Sequence, residues 1–261
     1  MVVGTETMNL SKDLLLKFLR AVLFGEKLYA SDFAEADWKS IFQLADEQTV
    51  SALLLDGMSL LPSECITIPL GDKLKRIATM QRIEQINRLH RKVIVKIDQA
   101  LKSEGIPVVF MKGQTTALRY PNPLHRTPGD IDFVVNPKDF KMTMEVLEKI
   151  GKVDHDLVHE HHGMAWVDGV TVEPHYKVHN YQSPSTDYAM QEMFASVFPS
   201  ELSSADMDGY AVPVFPPTFE SVFLISHMVN HVYEEGLGLR QVIDYAMFLS
   251  SCADKIDWLQ P

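Results

Sequence analysis

A chain of 261 residues, 46% of them apolar, is long enough to bury a hydrophobic core in one large domain or two small ones. The net charge of −11 argues against a general nucleic-acid-binding protein, and no stretch reaches the roughly 18 to 20 uncharged apolar residues of a membrane helix. Because the N-terminal sequence lacks the basic-then-apolar order of a secretion signal, we expect a cytoplasmic protein without a membrane partner.

The first part of the chain has a helical pattern. Apolar residues recur at intervals of three and four over residues 10–101, which predicts a helical N-terminal region, 1–102. Gly25 and Gly57 are predicted helix ends within it. Basic residues outnumber acidic ones over residues 73–102, and their helical spacing indicates a solvated face of a helix that packs on the core.

A mixed region, residues 103–215, begins at the turn Gly105-Ile106-Pro107. Its predicted elements are a strand at 108–110, a short helix after Gly113, a strand at 130–135, a helix at 137–150, a hairpin at Asp168-Gly169 and further β structure at 210–215. Asp-Gly favours a tight hairpin because both central positions need positive φ. Helical spacing returns at 218–233 and 239–250, and we expect this C-terminal helical region, 216–261, to be truncated.

Two aspartates, Asp130 and Asp132, begin the second predicted strand. Since alternate residues of a strand face the same side, both carboxylates project together while Ile131 points into the core. Carboxylates held side by side need a cation, and hard divalent ions such as Mg²⁺ prefer oxygen ligands. Glu173 is the acidic residue inside the apolar strand after the hairpin. It is therefore a candidate third ligand for a site that binds two metal ions.

These residues occur in a characteristic order: Lys112-Gly113, Tyr120-Pro121, Arg126, Asp130-Ile131-Asp132 and Glu173. In this order they resemble the polymerase-beta-like nucleotidyltransferase superfamily, and more closely its branch of uncharacterised bacterial nucleotidyltransferases. The resemblance covers residues 107–176, and the segment 239–249 is similar to the helical part of that branch. It implies an α+β fold with a small mixed nucleotidyltransferase-type sheet and flanking helices, preceded by the helical N-terminal region and followed by C-terminal helices.

The resemblance also implies the reaction, which is transfer of a nucleoside monophosphate, expected to be AMP, from a nucleoside triphosphate, expected to be ATP. Asp130, Asp132 and Glu173 are expected to bind two Mg²⁺ ions, or Mn²⁺, and Glu173 also to help remove the acceptor proton. The residues expected to contact the nucleotide are Lys112, Gly113, Gln114 and Arg126. The acceptor is expected to be a hydroxyl or amine of a small molecule or a protein, and not nucleic acid.

Two departures from the superfamily keep other functions open. The superfamily usually has serine where Gln114 stands, and a shorter span than the seventeen residues from Gly113 to Asp130. A non-catalytic interaction module with this fold is therefore one alternative. A Mn²⁺-dependent glycosyltransferase is the other, because aspartates one residue apart also hold Mn²⁺ and sugar diphosphates. The long helical region before any strand argues against it.

Three further groups of polar residues are interpreted as structural: the crowded His155, His159, His161 and His162, the pair His227 and His231, and the pair Arg240 and Asp244. The first group matches no zinc-binding motif, so no metal role is predicted for it. The histidine pair shares its helix face with apolar residues, so we expect it in the core or in interhelical hydrogen bonds. The last pair is expected to form an intrahelical ion pair of little energetic value.

Overall fold

The computed structural model describes residues 2–156, 161–178, 183–234 and 236–258, and within them a seven-stranded sheet is flanked by helices. The strands are β1 (Val108–Met111), β2 (Ile131–Val135), β3 (Lys152–Asp154), β4 (Met164–Val167), β5 (Val170–His175), β6 (Ser203–Met207) and β7 (Tyr210–Val214). The helices are α1 (Val2–Phe24), α2 (Trp38–Glu47), α3 (Ser51–Ser59), α4 (Leu70–Ser103), α5 (Gly113–Ala117), α6 (Phe140–Ile150), α7 (Pro184–Val197), α8 (Pro217–Glu234) and α9 (Leu239–Cys252). The predicted α+β fold is confirmed.

The sheet is mixed, with the strand order β3-β4-β5-β2-β1-β7-β6. Strand β2 pairs antiparallel with β1 and parallel with β5, so it lies in the middle of the sheet. The hairpin between β4 and β5 turns at Asp168 and Gly169, whose φ angles of 51° and 82° are those the sequence predicted for this turn. Strands β3 and β6 and helix α7 were not predicted.

The alternation of residues along β2 separates the core from the site. Ile131, Phe133 and Val135 are buried in the apolar cluster that α4 and α6 share with the sheet. Val134 is buried on the opposite face, in a second cluster formed with α7, α8 and α9. Asp132 belongs to this second face by the same alternation. The prediction that Ile131 points into the core is confirmed.

Helices α1, α2 and α3 pack around an aromatic cluster of their own, which α9 also contacts. Gly25 follows the last turn of α1 with φ 72°, as a helix end requires. Gly57, in contrast, lies inside α3, so its prediction as a helix end was wrong. A Cβ atom at Gly57 would lie 2.8 Å from the ring of Phe18, so the lack of a side chain at this position allows α1 and α3 to approach closely.

Helix α4 is a single helix of 34 residues that carries the basic run. Three of its nine basic side chains pair with acids of other elements: Arg76 with Asp46 at 2.6 Å, Arg91 with Asp208 at 2.6 Å and Lys96 with Asp168 at 2.8 Å. Other basic residues of the run are exposed, which agrees with the predicted solvated face of a helix that packs on the core: Lys75, Arg82, Arg88 and Lys92. Among the described residues, no helix combines the length and apolarity that crossing a bilayer would take.

Candidate active site

The strand register brings two of the predicted carboxylates together. Asp132 on β2 and Glu173 on β5 are direct partners in a parallel pair, so both side chains leave the same face of neighbouring strands. One oxygen of each carboxylate and a ring nitrogen of His175 all lie within 4.8 Å of one another. Asp130 lies one residue before β2 and interacts with the Glu173 side chain. The three predicted carboxylates thus meet at one point on the sheet.

Lys112 supplies the positive charge next to these acids. Its Nζ lies 3.2 Å from Oδ1 of Asp132, and both side chains are largely buried. Lys112 has φ 56° and Gly113 has φ 48°, so two consecutive residues in the left-handed region turn the chain sharply from β1 into α5. Such a conformation costs a non-glycine residue on the order of 1–3 kcal/mol, and strain of this kind is typical of functional sites. We call Lys112, Asp130, Asp132 and Glu173 the carboxylate cluster.

The pKa values within the carboxylate cluster are shifted in opposite directions. Burial acts to raise the pKa of Asp132, but Lys112 and a hydrogen bond with His175 outweigh it, and the pKa falls below its usual value. The charge of Asp132, followed by burial, raises the pKa of Asp130. Burial, followed by the charges of Asp132 and Asp130, raises the pKa of Glu173 to about 7. The cluster holds three carboxyl groups against one ammonium group, so its negative charge is only partly compensated.

Three histidines, His161, His162 and His175, adjoin the carboxylate cluster, and we call them the histidine group. Nε2 of His175 lies 3.1 Å from Oδ1 of Asp132, and both side chains are almost fully buried. Burial lowers the pKa of His175, which favours the neutral ring donating its N–H to the aspartate. The interpretation of His161 and His162 as purely structural did not foresee that β5 brings His175 beside them. His155 is exposed beside Glu148, and His159 lies outside the described residues.

Arg126, which was expected to neutralise phosphate charge, has an acidic partner in the structure. Its Nε and Nη2 each lie 2.8 Å from an oxygen of Asp244 on α9, a bidentate pair that is buried. The hydroxyl of Tyr120 donates to the same carboxylate at 2.6 Å. We call Tyr120, Arg126 and Asp244 the arginine clamp, because it ties the loop before β2 to α9. The expected Arg240–Asp244 ion pair was wrong, since Asp244 pairs with Arg126 instead.

Gln114 is also directed away from the carboxylate cluster. Its side chain is buried against α4, where Nε2 donates to Asn87 at 2.6 Å and Oε1 accepts from Arg91 at 3.4 Å. The backbone N–H of the next residue, Thr115, donates to the carbonyl of Lys112 at 3.0 Å and is therefore already used within the protein. The structure therefore leaves Gly113, rather than the residues after it, at the edge of the site.

A cavity of about 390 Å³ opens between the carboxylate cluster and helices α8 and α9. The histidine group, His227 and His231 line it, and the last two approach to 3.1 Å between their Nε2 atoms. Arg240 on α9 lines it as well. One Nη of Arg240 donates to the carbonyl of Thr127 at 3.4 Å, while its buried Nε has no hydrogen-bond partner. This arginine is a cation that a bound anion could engage.

Comparison with known proteins gives a family. The family described as "Uncharacterised nucleotidyltransferase" matches residues 34–260, which is most of the chain. A search among curated protein sequences finds no significant match. The family match argues against the glycosyltransferase alternative.

Solved structures with a similar fold are distant in sequence. The antibiotic-resistance factor ANT(2″)-Ia is 14% identical, with a TM-score of 0.45 over 64% of this chain and 86% of that chain. An antigenic nucleotidyltransferase-like protein from Paracoccidioides brasiliensis is 16% identical, with a TM-score of 0.42 over 62% of this chain and 75% of that chain. At this distance the functional conclusions depend on the family match and on the site itself.

Proposed function

The chain belongs to the family of uncharacterised nucleotidyltransferases, and from this premise we propose that it transfers AMP from ATP to a hydroxyl or amine of a small molecule or a protein. The observation that carries the proposal is the register of Asp132 opposite Glu173 in the middle of the sheet, with Asp130 beside them. Three carboxyl groups that converge at the mouth of a cavity are the ligand set that a phosphoryl-transfer site needs.

The carboxylate cluster fits a divalent cation on charge. Asp132 has a lowered pKa and is 5% exposed. Its charge raises the pKa of Asp130, and burial together with the charges of both aspartates raises the pKa of Glu173. Lys112 alone does not balance these charges, and a hard cation would. Asp130, Asp132 and Glu173 would hold Mg²⁺, which when bound supplies charge neutralisation for the triphosphate and a more acidic acceptor oxygen.

The protein's own residues have separate tasks in this reaction. Glu173 accepts the proton of the acceptor hydroxyl or amine as the new bond to the α-phosphorus forms. The bond from the α-phosphorus to the bridging oxygen breaks, and pyrophosphate leaves with the electron pair. Lys112 and Arg240 compensate the phosphate charge, and Gly113 lets the backbone come close to the phosphates.

We infer that Arg240, and not Arg126, compensates the phosphate charge as the sequence led us to expect of Arg126. The guanidinium of Arg126 is already neutralised by Asp244, so its free energy of interaction with a phosphate is reduced. Arg240 has no acidic partner within ion-pair distance among the described residues and keeps a buried Nε free. It lines the same cavity as the carboxylate cluster, where it can meet a bound phosphate.

Calorimetric titration of the full chain with the four ribonucleoside triphosphates, with and without Mg²⁺, tests the proposal. We expect Mg²⁺-dependent binding, tightest for ATP, and release of pyrophosphate once an acceptor library is added. Asp132→Asn should abolish both signals, while Asp72→Asn on the exposed start of α4 should change neither. No triphosphate binding in the presence of Mg²⁺ would support the non-catalytic module instead.

A further inference from the structure

The histidine group has no task in nucleotidyl transfer, yet the backbone holds it in place. Residues 161–163 lie against the end of β5, where Tyr176 N–H donates to the carbonyl of His161 at 3.0 Å and Gly163 N–H donates to the carbonyl of Pro174 at 2.9 Å. His162 and His175 are paired directly in an isolated antiparallel bridge. The three rings are thus positioned by main-chain hydrogen bonds and not by chance contacts of long side chains.

The rings have the spacing of ligands around a single ion. Their centroids are 4.5 Å apart for His161 and His162, 5.0 Å for His162 and His175, and 5.4 Å for His161 and His175. Imidazoles that bind one ion at about 2.1 Å, with angles of about 90 to 110°, would place their centroids about 4.5 to 5.3 Å apart. One nitrogen of each ring lies within 4.8 Å of the other two. A small rotation of each side chain would bring these nitrogens to a shared ion.

A carboxylate completes the group. Oε2 of Glu173 lies 3.8 Å from Nε2 of His162 and 3.8 Å from Nε2 of His175. Three imidazoles with one carboxylate are a ligand set that favours borderline transition-metal ions over Mg²⁺, which strongly prefers oxygen. Asp132 accepts from Nε2 of His175 and would orient this ring, as carboxylates do for metal-bound histidines. The ligand atom of His175 is then Nδ1, which is buried and has no hydrogen-bond partner among the described residues.

We propose that His161, His162 and His175, together with Glu173, form a binding site for one transition-metal ion of the Zn²⁺ class. The site adjoins the carboxylate cluster and shares Glu173 with it, so the cavity has a nitrogen-rich side and an oxygen-only side. Glu173 contributes its Oε2 to the histidine site, so its Oε1 remains, with Asp130 and Asp132, for the hard ion and the acceptor proton. The histidine site binds its ion whether or not a triphosphate is present, so its test does not depend on nucleotidyl transfer.

Cobalt(II) is the probe, because its visible absorption reports nitrogen ligation and coordination number. The full chain, freed of metal by chelation, is titrated with Co²⁺ in a large excess of Mg²⁺, which occupies oxygen-only sites. We expect one Co²⁺ per chain with the intense absorption of a four- or five-coordinate site. His161→Gln and His162→Gln should each weaken Co²⁺ binding at least about tenfold, because each removes a ligand.

Two control variants separate this site from its neighbours. His155→Gln removes an exposed histidine next to Glu148 and should leave Co²⁺ binding unchanged. Asp130→Asn should reduce Mg²⁺-dependent ATP binding but preserve the cobalt spectrum. Unchanged Co²⁺ affinity in both His161→Gln and His162→Gln, or full displacement of Co²⁺ by Mg²⁺, would overturn the proposal.

X-ray absorption of the zinc-loaded wild type removes any dependence on how well the variants fold. Scattering from three imidazole rings and one oxygen ligand is expected. A shell of oxygen ligands with one imidazole or none would show that the ion sits at the carboxylates, and the histidine site would be rejected. If the wild-type protein shows the cobalt spectrum but binds no triphosphate, the proposed function is wrong and the histidine site is retained.

Discussion

Two buried polar clusters face the same cavity, and they differ in charge balance. In the arginine clamp, one guanidinium meets one carboxylate through two hydrogen bonds of 2.8 Å, and a tyrosine hydroxyl fills a remaining acceptor position. In the carboxylate cluster, three acids share one lysine. Asp244 in the clamp is fully paired. In the carboxylate cluster, by contrast, the charge of Asp132, followed by burial, raises the pKa of Asp130, and burial, followed by the charges of Asp132 and Asp130, raises the pKa of Glu173.

The difference in charge balance distinguishes a buried charge that stabilises the fold from a buried charge that binds a ligand. A balanced, hydrogen-bonded ion pair needs no further ligand. Removal of one partner leaves the other as an uncompensated buried charge. An unbalanced group is costly without its ligand and becomes stable when the ligand binds. Both clusters contain residues of the same sequence motif, so the motif alone does not make this distinction.

Among substitutions in the two clusters, Asp132→Asn should have the largest effect on activity. The substitution removes a charge at the centre of the carboxylate cluster, and we expect the rate of nucleotidyl transfer to fall at least about 100-fold. Pyrophosphate release with ATP, Mg²⁺ and acceptor is the measurement. Activity within a few-fold of wild type would show that the metal is held elsewhere.

Matched substitutions in the two clusters should have opposite effects on stability. Asp244→Asn leaves Arg126 buried without its counter-charge, and we expect the free energy of unfolding to fall by about 3–5 kcal/mol. Asp130→Asn removes repulsion from Asp132, so the metal-free protein should be as stable as wild type or more so. Urea unfolding of both variants in the presence of a chelator gives the comparison.

If both variants lose the same amount of unfolding free energy, the two clusters do not differ in charge balance as proposed. A further control is replacement of the whole ion pair, as in Arg126→Met with Asp244→Leu. Apolar side chains of similar size should recover much of the loss. Asp130 is the better choice for this test than Asp132, which has Lys112 and His175 as partners.

Arg240→Gln should have a smaller effect, limited to substrate binding. The substitution removes a cation from the cavity wall without touching the carboxylates, so KM for ATP should rise roughly tenfold while kcat changes little. Arg20→Gln, on the exposed face of α1, is the matched control. A fall in kcat at constant KM would instead indicate that Arg240 acts in the transition state.

Much of the fold was predictable because local signals and packing agree. The apolar run of β2 and the Asp168-Gly169 turn each predicted their element within a few residues. Strand β3 was missed because it has only three residues and no apolar alternation. The prediction of a helix end at Gly57 was wrong because the sequence alone does not distinguish a glycine that allows close packing against Phe18 from one that ends a helix.

The site was predictable where residues share a strand and not where distant elements meet. The spacing of Asp130 and Asp132 fixes their common direction, and Glu173 was found as an acid in an apolar strand. The pairing of Arg126 with Asp244 spans 118 positions and leaves no local signal. The same holds for His175, whose approach to His161 depends on how residues 161–163 lie against the end of β5.

The smallest expected effect is on the pH dependence of stability, and it concerns His90, a buried histidine of α4. Burial, followed by the charge of Arg126, lowers the pKa of His90 to about 4. The unfolded chain, with a histidine pKa of about 6.5, binds this proton more readily than the folded one. The stability linked to His90 is therefore complete above about pH 6.5 and is lost as the pH falls toward 4. His90→Gln should remove that part of the acid sensitivity, seen as a shallower fall in unfolding free energy from pH 7 to 5.

His125 supplies the opposite sign in the same set of measurements. Hydrogen bonds with Asp56 and Glu84 outweigh partial burial and raise its pKa, so the folded protein holds the proton more tightly than the unfolded chain. Its contribution is complete below about pH 6.5 and is lost as the pH rises through the raised pKa. His125→Gln should cost about 1 kcal/mol or less, since solvent partly screens both ion pairs, and the cost should be larger near pH 5.5 than near pH 8. Equal pH slopes for the two variants would contradict the opposite directions of the two pKa shifts.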